Sequence, residues 1–214
     1  MKIGKAMISR RSLTRIATLV PFAIALGGWP GPSSASPDGA AHFVEGLIGE
    51  AITVLRIPVE ERASRESQFR TLLRDKFDVP LITRLVVGRH WRRATDAQKQ
   101  AFMLVFEEHI VRIYTSQLGV YNDETVAIRN VASRTERDTI VGTEVMMRSS
   151  DAPLQLDWLV REEAGAYRVI DIAAEGVSLM TTKRSEFSSV IQRDGLDGLI
   201  EKLRLLNADR SENS

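Results

Sequence analysis

The chain has 214 residues, of which 43% are hydrophobic and 27% charged, and its formal net charge is +1. This composition is typical of an ordinary globular protein and argues against long disordered segments. The sequence contains no cysteine, which excludes disulfide bonds, thiol catalysis and cysteine-ligated metal sites.

Residues 1–35 have the three-part pattern of a secretory signal peptide. An apolar run, Ile16 to Trp29, follows a basic start and precedes small residues that would allow cleavage after Ala35. This run is about 14 residues long, shorter than the ~20 residues that a membrane-spanning helix needs. The adjacent pair Arg10-Arg11 also fits a twin-arginine signal, so both Sec and twin-arginine export remain open. We therefore expect export to the periplasm.

Cleavage at this position would also change the charge of the protein. Residues 1–35 contain five basic residues and no acid, so their removal would leave a formal charge of −4. A slightly acidic domain lacks the basic footprint of a nucleic-acid-binding protein. We expect no nucleic-acid partner, and no general attraction of the mature domain to anionic lipid surfaces.

Residues 38–119 have the periodicity of amphipathic helices. The first apolar stripe comprises Val44, Leu47, Ile48, Ala51, Ile52 and Leu55. A second stripe comprises Phe69, Leu72 and Leu73. Asp78 is placed to cap a short helix that Gly88 ends. Thr95 and Gln98 have the spacing of a capping box at the start of a longer helix.

Residues 124–177 alternate between apolar and polar, as strands with one buried face do. Turns are predicted at 149–153 and 163–165, so the strands should form an antiparallel meander. Helical stripes return on either side of Gly195 and end near residue 206. We predict an α+β fold, with amphipathic helices packed on one curved, mainly antiparallel sheet over residues 36–206. Residues 207–214 are polar, and we expect them to form a flexible tail.

Catalytic chemistry has little support in the sequence. The three histidines, His42, His90 and His109, lack the spacing of metal ligands, and His109 is placed at the edge of a helical core. No nucleophile elbow and no glycine-rich phosphate loop occurs. An isomerase-like enzyme would need a buried acid, whereas Asp157 falls on the polar side of its strand. The adjacent Glu107 and Glu108 are expected to form a solvated flank. We expect no enzyme activity, metal or cofactor.

Two segments are specific enough to suggest a family. One is Gly88–Gln98, and the other runs from Tyr167 to Phe187 and continues into residues 194–199. Together they resemble the MlaC family, also called the toluene-tolerance auxiliary family. The resemblance implies a periplasmic carrier with a deep apolar pocket for acyl chains. It would move phospholipid between an outer-membrane lipoprotein–porin complex and an inner-membrane ABC transporter complex bearing MCE domains.

Two alternatives remain open beside the phospholipid carrier. The stretch Arg184–Ser188 also resembles the hopanoid-associated HpnM branch, whose cargo would be a hopanoid. A tethering module of the cell envelope would bind its partners without any cargo. Trp91 is expected to be either a structural anchor or a ligand contact.

The pocket implied by the resemblance would be lined by the inward residues of the helices and strands. Periodicity alone does not distinguish a filled core from a hollow one, so these positions are candidates for either. The candidate lipid-binding residues are Leu47, Ala51, Phe69, Leu72, Phe77, Leu85, Phe102, Phe106, Ile110, Val145, Met147, Leu156, Trp158, Val160, Ile172, Val177, Met180 and Phe187.

Overall fold

The computed structural model describes residues 36–117, 123–147 and 152–212. The expected signal peptide and most of the expected turn at 149–153 lie outside these residues. The helices are α1 (Pro37–Leu55), α2 (Arg62–Lys76), α3 (Val79–Val87), a 3-10 helix (Gly88–Arg93), α4 (Asp96–Gln117) and α5 (Leu179–Glu212). The strands are β1 (Thr125–Ser133), β2 (Asp138–Met146), β3 (Leu154–Glu163), β4 (Ala166–Ala174) and β5 (Val177–Ser178). The α+β prediction is confirmed.

The helix boundaries follow from capping residues. Asp78 accepts a hydrogen bond from the backbone N–H of Leu81 at 2.9 Å, which begins α3. Gly88 ends that helix with φ 61°, a backbone angle that glycine adopts without steric penalty. Thr95 and Gln98 form the predicted capping box, since each side chain accepts from the other's backbone N–H, at 3.2 and 3.0 Å.

The five strands form one antiparallel sheet in the order β1-β2-β3-β4-β5, which confirms the predicted meander. One face of this sheet, the inner face, packs against α1 and α2. Its centre is a row of paired residues on β1, β2, β3 and β4, namely Val131, Val141, Trp158 and Ile172. Ala40, Val44 and Leu47 of α1 and Leu72 of α2 pack on this face.

The opposite, outer face carries polar side chains. Arg129 lies at an irregularity in the β1–β2 pairing and donates to Asp157 on β3 at 3.1 Å. Asp138 accepts two hydrogen bonds from Arg161, at 2.7 and 2.9 Å. Asp157 therefore lies on the polar side of its strand, as the alternation predicts.

The other helices build a second core beside β4. Asp78 donates its backbone N–H to the carbonyl of Val169, and Phe77 forms a bridge with the same residue. Asp171 accepts from the backbone N–H of Met180 at 3.0 Å and holds the start of α5 at the sheet. The residues buried between α3, α4 and α5 include Val86, Phe102, Phe106, Phe187, Leu199 and Leu203.

Two local expectations differ from the structure. Glu107 and Glu108 do not form a solvated flank, because Arg70 of α2 bonds to both carboxylates and holds them between the helices. The last helix does not end near residue 206 but continues to Glu212. Asn207 explains the extension: it is buried, donates to the carbonyl of Val105 at 3.1 Å and contacts His109. A polar residue with these partners continues the packed helix rather than beginning a tail.

Candidate functional site

The inner face of the sheet is covered at one end and only half-covered at the other. Thr139, Val160 and Val169 form a row of paired residues at the covered end, and all three are buried. At the other end, Val126, Val145 and Leu154 form a corresponding row in which every side chain is half-buried. We call this second end, together with the neighbouring row that contains Leu156, Ala174 and Val177, the open end of the inner face.

The neighbouring row completes the open end. Leu156 on β3 pairs with Thr143 on one side and Ala174 on the other, and Ala174 pairs with Val177 on β5. Directly paired residues of antiparallel strands point to the same face. Leu156 is half-buried and Val177 is 59% exposed. Thr143 is fully buried, so the incompletely covered apolar side chains of this row are Leu156, Ala174 and Val177 on β3, β4 and β5.

Helix α1 also carries apolar side chains that are only half-buried. It begins at the covered end, where the backbone N–H of Ser36 donates to the hydroxyl of Tyr167 at 3.3 Å. Val44 and Leu47 are buried against the sheet. Towards the C-terminal end, Ile48, Ala51, Ile52 and Leu55 are half-buried, whereas Val54 is buried. Half-buried apolar side chains therefore occur both on the sheet and on α1.

Two polar side chains beside the open end are paired. The indole N–H of Trp158 donates to Thr143 Oγ1 at 3.0 Å, and the Thr143 hydroxyl donates to the carbonyl of Leu156 at 3.2 Å. Pairing removes the desolvation penalty that an unsatisfied donor would impose on an apolar ligand. The half-buried or exposed residues that form the open end, Val126, Val145, Leu154, Leu156, Ala174 and Val177, all have hydrocarbon side chains.

Helix α2 contains a buried arginine, Arg65, that the sequence pattern did not lead us to expect. Arg65 is 1% exposed and precedes Phe69 and Leu72 by four and seven residues, so it lies on the same inward stripe. Burial lowers the pKa of its guanidinium. The spacing of residues 65, 69 and 72 is the signal that could have identified Arg65, but a stripe defined by apolar residues alone does not include an arginine.

The candidate lipid-binding residues fall into separate places. Leu47, Ala51, Leu72, Phe77, Trp158, Val160 and Ile172 belong to the cluster between α1, α2 and the sheet. Val145, Leu156 and Val177 lie at the open end, and Met147 follows β2 and is half-buried. Phe69 and Ile110 pack around Leu73, Val79 and Val111, where Phe69 stacks on Tyr114 at 6.5 Å between ring centroids.

The aromatic candidates on α4 and α5 occupy a filled core. Phe102 and Phe106 stack with ring centroids 5.4 Å apart, and Phe187 meets both rings edge-on at 5.9 and 5.8 Å. All three are buried, and Met180 and Trp91 pack against the same cluster. Trp91 is thus a structural anchor for the 3-10 helix. Leu85 on α3 is half-buried.

A separate cavity of about 500 Å³ lies between the end of the β3–β4 hairpin and the α2–α3 junction. Three guanidinium groups and two carboxylates line it, together with one aromatic ring, so it is poorly suited to hydrocarbon. Its lining residues are Arg74, Phe77, Asp78, Pro80, Arg161, Glu163, Ala166 and Arg168. It does not coincide with the open end of the inner face.

Within the described ranges, no group of three or more histidine and acidic residues is arranged to hold a metal ion. His109 is buried and its Nδ1 lies 3.1 Å from Asn207 Oδ1, so it has the structural role expected of a core histidine. No helix in the same ranges has the length and apolar character needed to cross a bilayer.

Comparison with known proteins decides the family. The family model of the MlaC protein matches residues 46–205, which include α2, α3, α4, the sheet, the second half of α1 and most of α5. The chain belongs to the MlaC family. The resemblance of the two sequence segments is thereby confirmed.

Two relatives are distant in sequence. The intermembrane phospholipid transport system binding protein MlaC of Haemophilus influenzae is 22% identical over 122 residues, 56% of this chain and 57% of that protein. The chain thus matches little more than half the length of this relative. The toluene tolerance protein ttg2D of Pseudomonas putida is 21% identical over 159 residues, 72% of this chain and 74% of that protein.

A solved structure confirms the architecture. The phospholipid-binding protein from Ralstonia solanacearum, determined in complex with a phospholipid, matches with a TM-score of 0.70 and 25% sequence identity. The match covers 80% of this chain and 98% of that structure. The helices and the five-stranded sheet are therefore the family fold, while the lipid pocket in this chain stays a prediction.

Proposed function

We propose that this MlaC-family protein is a periplasmic carrier that binds the acyl chains of a phospholipid at the open end of the inner face. The half-buried apolar side chains at the open end and on α1 carry this proposal. The phospholipid complex of the related Ralstonia protein supports it. The Haemophilus relative is a binding protein of a phospholipid transport system and the Ralstonia protein binds phospholipid, which agrees with a carrier rather than an enzyme.

An incompletely covered apolar face has the energetics that a carrier needs. Covering the ~28 methylenes of a diacyl lipid at ~0.8 kcal/mol each is worth on the order of 20 kcal/mol relative to water. The lipid arrives from a bilayer, however, where its tails are already dry. Transfer is reversible only if the protein matches the bilayer to within a few kcal/mol. Acyl chains that cover an apolar face already half-exposed meet this condition, because the protein does not have to open a filled core to bind them.

The proposed contacts are a subset of the candidates. Residues at the open end and beside it would touch the tails: Ala51, Val145, Leu156, Trp158, Ile172 and Val177. Phe102, Phe106 and Phe187 fill the helical core, so we assign them to stability. The fully buried Val160 and Leu47 would form the floor of the lipid site.

Family membership supports the proposed route. The carrier would take lipid between an outer-membrane lipoprotein–porin complex and the MCE-domain ABC transporter of the inner membrane. Residues 1–35 would direct export and be removed.

Native mass spectrometry of the exported protein, followed by extraction of its ligand, tests this proposal. We expect a mass increment of one phospholipid, and the purified protein should move labelled phospholipid between vesicles. An extracted hopanoid would replace the phospholipid assignment. A protein that runs at apo mass and transfers no lipid would contradict the carrier role and support a tethering module.

A further inference from the structure

A group of exposed arginines lies around the end of α3 and the 3-10 helix. No acidic residue occurs between Asp78 and Asp96, whereas this segment contains Arg84, Arg89, His90, Arg92 and Arg93. The four arginine side chains are exposed. We call these four residues the arginine patch.

The geometry of the 3-10 helix places two of these charges side by side. Residues three apart are eclipsed in a 3-10 helix, so Arg89 and Arg92 lie on one edge. Trp91 packs into the helical core and fixes the orientation of the helix. Arg184 of α5 donates to the carbonyl of Leu85 at 2.7 Å and adds a further cation beside Gly88.

The arginines of the patch lack the ion pairs that many cations elsewhere on the described surface form. Elsewhere, arginines on α2 and on the sheet pair with carboxylates, as Arg74 does with Glu107 and Arg161 with Asp138. No described acidic residue forms an ion pair with any arginine of the patch. Arg89 donates to His90 Nε2 at 3.4 Å, which supplies no negative charge. Neighbouring cations without counter-charges repel one another, so the arrangement is stabilised when an external anionic surface neutralises it.

We propose that the arginine patch docks the protein on the anionic headgroups of a phospholipid membrane. This inference rests on the proposed function, for which it supplies the contact with the donor or acceptor bilayer. The expectation that the domain has no attraction to anionic lipid was based on net charge, and the structure shows that the charge is unevenly distributed.

The make-up of the patch favours a lipid surface over a protein partner. Specific protein interfaces have an apolar or aromatic centre surrounded by polar residues. Here the aromatic residue, Trp91, is turned into the core, and the exposed large hydrophobic side chains of the described residues lie on other elements. A headgroup layer requires only charge, because its anions are mobile and need no matching shape.

Co-sedimentation with vesicles tests the proposal, using exported protein of unchanged sequence and two charge-matched triple variants. The test variant is R89Q/R92Q/R93Q, and the control, R193Q/K202Q/R204Q, removes three exposed cations from α5. Each arginine near an anionic surface contributes about fivefold, so the test variant should bind vesicles of phosphatidylglycerol and phosphatidylcholine on the order of 100-fold more weakly. The control should bind like the unmodified protein, and raising the salt concentration should release both.

Equal binding by the test variant and the control would overturn the proposal. Failure of the unmodified protein to bind anionic vesicles would overturn it as well and leave an acidic protein face as the partner. Measuring the co-purified lipid on the same samples distinguishes failure of membrane docking from failure of the carrier role. Docking should be lost while the lipid content of the test variant stays unchanged.

Discussion

Substitution of Val145 by arginine tests whether the open end of the inner face receives lipid. Val145 is half-buried on β2, between Val126 and Leu154 on the neighbouring strands. An arginine there has room to extend its guanidinium to solvent when no ligand is present. The free energy of unfolding should therefore fall by only about 1 kcal/mol, within the range of strand-propensity effects.

Bound lipid changes this balance. Acyl chains that cover position 145 would enclose the charge or be excluded by it, and an unpaired charge in an apolar site costs several kcal/mol. A penalty of about 3 kcal/mol corresponds to a loss in affinity of more than 100-fold. The control is Glu144→Arg, which introduces the same side chain at the adjacent position on the outer face.

The assay compares lipid extracted per mole of folded protein, with circular dichroism and urea unfolding on the same samples. We expect Val145→Arg to be folded and nearly free of lipid, and Glu144→Arg to retain it. A folded Val145→Arg protein with unchanged lipid content would refute the assignment of the lipid site.

Three further predictions concern stability, each measured by urea unfolding. Phe187→Ala should lower the free energy of unfolding by about 3–5 kcal/mol, because the ring is enclosed in a filled core, and a loss below 1 kcal/mol would contradict that packing. The hydrogen bonds from Arg161 hold the pKa of Asp138 below its ordinary value, so the pair stabilises the fold at neutral pH and the benefit is lost as the pH falls through that lowered pKa. Asp138→Asn should therefore cost about 1.5–3 kcal/mol at pH 7 and progressively less in acid, whereas a cost independent of pH would argue against the ion pair. Gly195→Ala should destabilise the protein by about 1–3 kcal/mol, because the backbone angles φ 74° and ψ 175° suit only glycine. Gly49→Ala, at a position of α1 with open space around it, should stabilise the protein by about 0.5–1 kcal/mol. Effects of equal sign would contradict this assignment.

Local signals in the sequence predicted much of the fold. The cap at Asp78, the stop at Gly88 and the capping box at Thr95 depend on residues at most three positions apart, so the sequence contains all the necessary information. The alternation along β3 likewise predicted which side chains face the helices, and placed Asp157 on the outer face.

Features that depend on tertiary contacts were not predictable in this way. Glu107 and Glu108 appeared to be solvated because their partner, Arg70, lies on another helix. The continuation of α5 beyond residue 206 depends on Asn207, whose partners lie about 100 positions earlier in the chain. The candidate lipid-binding residues included members of both the filled aromatic core and the half-covered sheet. Periodicity indicates which side chains point inward but not which groups they contact there.

Photo-crosslinking on β3 would show whether acyl chains lie on the inner face. p-Benzoylphenylalanine would replace Trp158 on the inner face in one protein and Leu159 on the outer face in another. We expect a lipid adduct, detected by intact-mass spectrometry after illumination, for position 158 and none for position 159. Equal labelling at both positions, or labelling at position 159 alone, would contradict it.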